Sequence, residues 1–86
     1  MPEVSRFFGI SIVFYYNDHS PPHFHATYEG KKAVFDLRTL QMTEGWISTR
    51  AQGMVVEWAA QHRDALKTAW ENARRGVPPG KIEPLH

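Results

Sequence analysis

Cysteine is absent from this 86-residue sequence, and so are a long apolar run and a large net charge. Without cysteine the protein has no disulfide bond, no thiolate metal ligand and no thiol nucleophile. No segment approaches the ~18 consecutive apolar residues of a membrane-spanning helix, so we expect no membrane association. The formal net charge is only +1, and the sequence has no basic stripe of the kind that binds duplex nucleic acid. Nucleic acid is therefore expected only as an indirect partner or as an RNA substrate.

The opening residues Met-Pro-Glu-Val-Ser-Arg do not form a basic and then apolar export signal. Together with the missing cysteines, this predicts a cytoplasmic protein. Hydrophobic residues make up 42% of the chain and aromatic residues 13%, a composition typical of a folded domain. Because an independent core usually needs about 50 residues or more, we expect a single domain over residues 1–86.

Apolar residues alternate up to about Gly45 and recur at helical spacing after Trp46. The alternation predicts strands over about 9–16, 23–28 and 31–37, with a short fourth strand over 40–43 as an option. The second pattern predicts one helix over about 49–75, which Gly76 ends, followed by a tail over 76–86. The fold class expected is therefore α+β, with a small antiparallel sheet of three or four strands packed against one long C-terminal helix.

The predicted helix is too long for the predicted sheet. A helix of about 27 residues spans roughly 40 Å, whereas a seven-residue strand spans about 23 Å. Either the helix kinks near its middle, or its far end packs on the tail or on another chain. The tail itself would fold back on Trp70 or add an edge strand. We expect the uncovered end around Trp70, Ile82 and Leu85 to bind a companion small protein or a second copy of the chain.

The run 18–25 reads Asp-His-Ser-Pro-Pro-His-Phe-His and contains three of the five histidines. Residues two apart in a strand share a face, so His23 and His25 lie about 7 Å apart. A hairpin loop at 29–30 pairs His23 with Asp36, whereas a loop at 30–31 pairs His25 with Asp36. Both registers place an aromatic face toward the core and gather the histidines and the carboxylate on the opposite face.

This face is compatible with several chemistries. His19, His23 and His25 are candidate ligands of a divalent metal such as zinc, with Asp36 as an alternative to His19. The pair His23 and His25, supported by Asp36, would instead perform acid–base catalysis without metal, with Lys32 offsetting phosphate charge. The same side chains would also serve for binding alone, or form a solvated strand with no function. No further metal or phosphate-binding pattern accompanies them.

The remaining two histidines have simpler interpretations. His62 lies on the apolar stripe of the predicted helix, which indicates a partly buried side chain with a hydrogen-bond partner. It would join the other histidines only if the helix crossed their face of the sheet. The alternation instead predicts that the helix packs on the aromatic face. His86 stands at the end of the tail and is expected to have no role.

Four segments resemble one family of small bacterial proteins, domain of unknown function family 4160. They are Arg-Phe-Phe-Gly-Ile at 6–10, the run 18–25, Trp58-Ala59 with His62-Arg63 and Leu66, and Lys-Ile-Glu-Pro-Leu at 81–85. The resemblance implies no activity. It implies a neighbouring gene from a second small family of unknown function, number 2442, in a pair that looks like a toxin–antitoxin or two-component module.

Two functions follow as expectations. The first is a protein-interaction component of a toxin–antitoxin-like pair, which rests on the resemblance and on the overlong helix. The alternative is a histidine- or metal-dependent hydrolase acting on an RNA phosphodiester, with His23 and His25 at its centre.

Overall fold

A five-stranded antiparallel sheet followed by two helices forms the protein, in a computed structural model that describes residues 2–86. The strands are neighbours in chain order, so the sheet is a simple meander. Their bounds are Glu3–Phe7 (β1), Ile10–Val13 (β2), His23–Tyr28 (β3), Lys31–Asp36 (β4) and Met42–Gly45 (β5), and the helices are Thr49–Gln61 (α1) and Arg63–Arg74 (α2). The α+β class is confirmed, whereas three or four strands and a single helix are corrected to five strands and two helices.

Strand β1 was not predicted, because its sequence does not alternate cleanly. A bulge between Glu3 and Ser5 interrupts its pairing with β2, so Val4 and Ser5 are both buried although they are consecutive. A bulge of this kind destroys the period of two on which strand prediction depends. The strand expected over 9–16 is also shorter, at Ile10–Val13, and the optional strand over 40–43 lies at Met42–Gly45.

The β3–β4 hairpin follows one of the two registers expected. Tyr28 pairs with Lys31 and His23 pairs with Asp36, which is the register of a two-residue loop at 29–30. Glu29 and Gly30 have φ angles of 51° and 77°. Two consecutive left-handed residues are the requirement of the tight turn that matches the twist of a hairpin.

The helix expected over 49–75 is interrupted at His62 and forms two helices, so of the two alternatives the break near the middle is the one observed. Ser48 caps the start of α1 by accepting a hydrogen bond from the Ala51 amide. At His62 the backbone leaves the helical region, with φ −132° and ψ 32°, and this residue both ends α1 and precedes α2. The break at His62 lets the second half of the helical segment stay packed on the protein. It therefore resolves the mismatch in length between the predicted helix and the predicted sheet.

The core lies between the helices and one face of the sheet. Phe24 and Phe35 stack with ring centroids 5.5 Å apart, and Trp58 from α1 meets the Phe24 ring edge-on at 6.0 Å. This is the aromatic face that the alternation predicted for β3 and β4. None of the helices within residues 2–86 combines the length and apolar character needed to cross a bilayer.

The tail packs along β1 and closes that side of the core. The Ile82 amide donates to the Val4 carbonyl at 2.7 Å, and the Trp58 indole Nε1 donates to the Glu83 carbonyl at 2.7 Å. Trp70 and Ile82 are only 4% and 8% exposed. Together with Leu85, which packs against the core, they lie inside the fold rather than on the free docking surface expected of them.

Candidate functional site

The face of β3 and β4 opposite the aromatic core, called the outer face below, forms the floor of a cavity of about 530 Å³. His23 and His25 from β3 and Val34 and Asp36 from β4 line it, together with residues of the β2–β3 loop and of β5. The period of two along a strand brings both histidines to this side. The two histidines therefore share this face in either hairpin register.

The β2–β3 loop is attached to the rest of the fold at both ends. At its start, the Asn17 amide donates to the Ala73 carbonyl in the last turn of α2, at 3.0 Å. At its end, the Leu37 amide donates to the Pro22 carbonyl, also at 3.0 Å. These two backbone contacts hold the loop against the outer face and bring the Asp18 side chain beside the histidines.

His23 is almost fully buried and has partners on both ring nitrogens. Its Nδ1 lies 2.7 Å from the Pro21 carbonyl oxygen, which can only accept, so Nδ1 carries a proton. Its Nε2 lies 2.8 Å from Oδ2 of Asp18. The ring of Trp70 packs against the imidazole at 5.1 Å between centroids. The orientation of His23 is therefore set by three neighbours from two segments, the β2–β3 loop and α2.

The surroundings of His25 differ from those of His23. Both of its ring nitrogens are buried and lack a hydrogen-bond partner in the described part of the chain. Oδ2 of Asp18 lies 3.7 Å from Nε2, beyond hydrogen-bond distance. Tyr15 meets the ring edge-on with centroids 4.4 Å apart. Burial, followed by the nearby charge of His23, lowers the pKa of His25, which favours a neutral ring with a free lone pair.

Asp18 joins the two histidines. Burial raises the pKa of its carboxyl group, but the hydrogen bond from the His19 amide and the charge of His23 outweigh burial and hold the pKa below its ordinary value. The carboxylate therefore stays ionised at neutral pH. One ligand atom from each of Asp18, His23 and His25 lies within 4.8 Å of the others. We refer to these three residues as the Asp18 cluster.

The structure separates the other predicted site residues from this cluster. Asp36 lies opposite His23, but its Oδ1 accepts hydrogen bonds from the amides of Arg38 at 2.7 Å and Thr39 at 3.1 Å. It closes the turn after β4. The His19 side chain is 90% exposed, with Nδ1 3.6 Å from Asp18, and it is not one of the converging ligands.

Asp18 is the site residue that sequence reasoning missed. It opens the same run, 18–25, that holds the three histidines. That proximity was the available signal, although no strand periodicity placed its side chain. Asp36 was favoured instead because hairpin pairing is readable from sequence, whereas the conformation of a loop is not.

The cavity wall is rich in carboxylates. Asp18, Asp36 and Glu44 contribute three carboxylates, while no lysine or arginine is among its lining residues in the described chain. Lys32 donates instead to the Tyr15 hydroxyl at 2.9 Å, and Arg38 pairs with Asp36. A carboxylate-rich cavity with two imidazoles is chemically suited to a cation.

An antiparallel meander with two helices and a histidine–carboxylate cluster opposite its aromatic core defines a small α+β protein. The chain belongs to the family described as domain of unknown function DUF4160, whose model matches residues 9–71. This range runs from the β1–β2 turn into α2 and contains the whole Asp18 cluster. No curated protein and no solved structure matches the chain.

Proposed function

We propose that this protein is a hydrolase that acts on a phosphodiester such as RNA, with the Asp18 cluster as its catalytic centre. The observation that carries the proposal is the state of His25. Leaving buried polar atoms without a partner costs about 1–3 kcal/mol, and both nitrogens of this ring are in that condition. Such a cost is typical of a residue kept for chemistry rather than for stability.

The cavity supports this function by its shape. At about 530 Å³ it lies within the range of small-molecule sites, so a nucleotide unit would fit. Hydrolysis would begin with attack of water on phosphorus and end with cleavage of the bond to the leaving oxygen. The proton released by the attacking water would go to solvent, and the leaving oxygen would take up a proton from solvent.

The direct test is hydrolysis of a single-stranded RNA oligonucleotide and of bis(p-nitrophenyl) phosphate, each with added divalent cation and with chelator. We expect cleavage by the tag-free protein in at least one of these conditions. The double variant His23→Asn/His25→Asn should lose it, whereas His86→Asn, in the tail, should retain it. Equal cleavage by the double variant and the unaltered protein would refute the proposal, and so would the absence of cleavage in every condition.

A second candidate is the interaction role, a component of a toxin–antitoxin-like pair or of a homo-oligomer. The observation that favours it is β5, the last strand of the sheet, whose residues 43–45 are exposed. Trp46, which follows the strand, is 51% exposed. An exposed edge strand beside an aromatic side chain is a common place for another chain to pair.

This candidate is tested by the molecular mass in solution over a wide range of protein concentration, alone and with the companion protein. An interaction role predicts a concentration-dependent oligomer or a tight heteromer that Trp46→Ala weakens. It also predicts that His23→Asn/His25→Asn leaves the assembly intact. A protein that stays monomeric and does not bind the companion protein would exclude this role.

A further inference from the structure

We propose that the Asp18 cluster is a binding site for one borderline divalent cation of the zinc type, with Asp18 Oδ2, His23 Nε2 and His25 Nε2 as its three protein ligands. This inference deepens the proposed function, because it names the cofactor of the same site. It replaces the ligand set expected from sequence, in which His19 or Asp36 accompanied the two histidines.

The distances between the ligand atoms agree with a single ion. Zinc lies about 2.0–2.2 Å from nitrogen and oxygen ligands, so two ligands in a tetrahedral arrangement are about 3.4 Å apart. Asp18 Oδ2 lies 2.8 Å from His23 Nε2 and 3.7 Å from His25 Nε2, on either side of that value. The ligand atoms of the three residues all lie within 4.8 Å of one another, so side-chain rotations that shorten the longest separation would bring them onto one cation.

The backbone already holds His23 in the tautomer that a metal requires. The Pro21 carbonyl accepts from Nδ1, which leaves Nε2 as the nitrogen facing the cluster. Histidine ligands of metals usually donate their other nitrogen to a carbonyl or a carboxylate in this way. A cation bound between Nε2 and Asp18 would take the place of the proton that joins these two atoms in its absence.

His25 supplies the independent observation. Its Nε2 is buried, unpartnered and directed toward Asp18, and a coordinate bond would satisfy it. A plain Asp18–His23 ion pair explains two members of the cluster but gives no reason for the third. A cation between the three residues accounts for all of them.

The charge of the cavity gives a reason why the proposed hydrolase would need this cation. A phosphodiester entering the cavity would meet the carboxylates of Asp18, Asp36 and Glu44 with no lysine or arginine among the lining residues described. A divalent ion held by one carboxylate adds net positive charge where the phosphate would bind. Three protein ligands would leave one position for water or substrate, as in catalytic zinc sites.

The experiment is a titration of the tag-free, chelator-treated protein with Zn²⁺, Co²⁺, Mn²⁺ and Mg²⁺, followed by calorimetry and thermal unfolding. We expect one ion per chain, with Zn²⁺ bound more tightly than Mn²⁺ and Mg²⁺ bound weakly or not at all. At about 100 times the dissociation constant, zinc should raise the melting temperature by roughly 10–20 °C. The visible spectrum of the Co²⁺ form should show nitrogen and oxygen ligands in low coordination number.

Single substitutions identify the ligands. Asp18→Asn and His25→Asn should each weaken zinc binding by about 100-fold or more, since loss of an outer contact alone costs 10–100-fold. His19→Asn is the matched control and should bind zinc like the unaltered protein. If a ligand variant fails to fold, the imidazole ¹⁵N shifts of the unaltered protein serve instead, with Nε2 of His23 and His25 moving on zinc addition and His19 unchanged.

The outcomes separate this inference from the proposed hydrolase. Hydrolysis that persists in chelator without zinc binding would overturn the metal site and leave the enzyme. Zinc binding without cleavage of any phosphodiester would support the metal site and refute the enzyme. No saturation up to millimolar zinc, or an equal loss on His19→Asn, would overturn the ligand set proposed here.

Discussion

The two faces of the β3–β4 hairpin are built from the same strands but differ in composition, since one is apolar and the other is polar. The face toward the helices consists of closely packed apolar rings, with Phe24 and Phe35 at most 1% exposed. The outer face is partly covered by the β2–β3 loop and holds Asp18, His23 and His25 in a cavity. One face therefore carries most of the apolar packing, and the other contains buried polar groups, among which His25 lacks hydrogen-bond partners.

The largest effect is expected on the core face. Phe24→Ala should lower the free energy of unfolding by about 3–5 kcal/mol, because it removes a fully buried ring and leaves a cavity. A domain of this size has about 5–15 kcal/mol at most, so the variant should be largely or wholly unfolded near 37 °C. Urea denaturation followed by circular dichroism measures the change.

Phe8→Ala is the control for this prediction. Phe8 is 60% exposed in the β1–β2 turn, and its truncation should change stability by no more than about 0.5 kcal/mol. A small effect of Phe24→Ala would show that the aromatic stack is not the centre of the core.

Asp36 lies on the outer face but is expected to contribute to stability rather than to zinc binding. Asp36→Ala should cost about 1–3 kcal/mol, because the amides of Arg38 and Thr39 lose their acceptor. Zinc binding should be kept, since Asp36 is not a ligand in the proposed site. Chemical denaturation and calorimetry of the same sample measure both quantities, and Glu57→Ala, on the exposed side of α1, is the control.

The stabilising effect of Asp36 should depend on pH. Burial raises the pKa of its carboxyl group, but hydrogen bonds from Arg38 and Thr39 outweigh burial and keep the pKa below its ordinary value. The contribution is therefore complete above the unfolded-state pKa of about 4 and is lost as the pH falls through the lower folded-state value. The stability difference between Asp36→Ala and the unaltered protein should shrink in that acidic range, and a difference that is constant down to pH 2 would contradict this origin.

His25→Leu should act in the opposite direction from Phe24→Ala. In cation-free protein we expect a gain of about 1 kcal/mol, because an apolar side chain removes two buried polar atoms without partners. Hydrolysis and zinc binding should be lost at the same time. Thermal unfolding in chelator measures the gain, with His19→Leu as an exposed control. A large loss of stability would instead mark His25 as a structural residue.

The smallest effect is expected at the rim of the outer face. Tyr15→Phe removes the hydroxyl that accepts from Lys32 in an exposed contact and should cost less than about 1 kcal/mol. The ring that covers His25 stays, so zinc affinity should be unchanged. Tyr15→Ala uncovers His25, and calorimetry should then show weaker zinc binding. Equal affinities for all three proteins would exclude a positioning role for the Tyr15 ring.

Much of the sheet was readable because strand periodicity is a local property. The alternation in residues 23–28 and 31–36 sorted the side chains of β3 and β4 onto the correct faces in both candidate registers. The break of the helical segment was anticipated from its length, but its position at His62 was not, since no glycine or proline marks it. Strand β1 was missed because its bulge puts two consecutive residues inside.

The sequence itself determined that His23 and His25 lie on one face away from the core, because a strand places every second side chain on the same side. Only the tertiary structure decided which carboxylate meets them. Asp36 is near in the sheet but is occupied by the turn that follows β4. Asp18 reaches the histidines because Asn17 is tied to the end of α2 and Pro22 to Leu37, and such contacts between distant segments leave no periodic trace in the sequence.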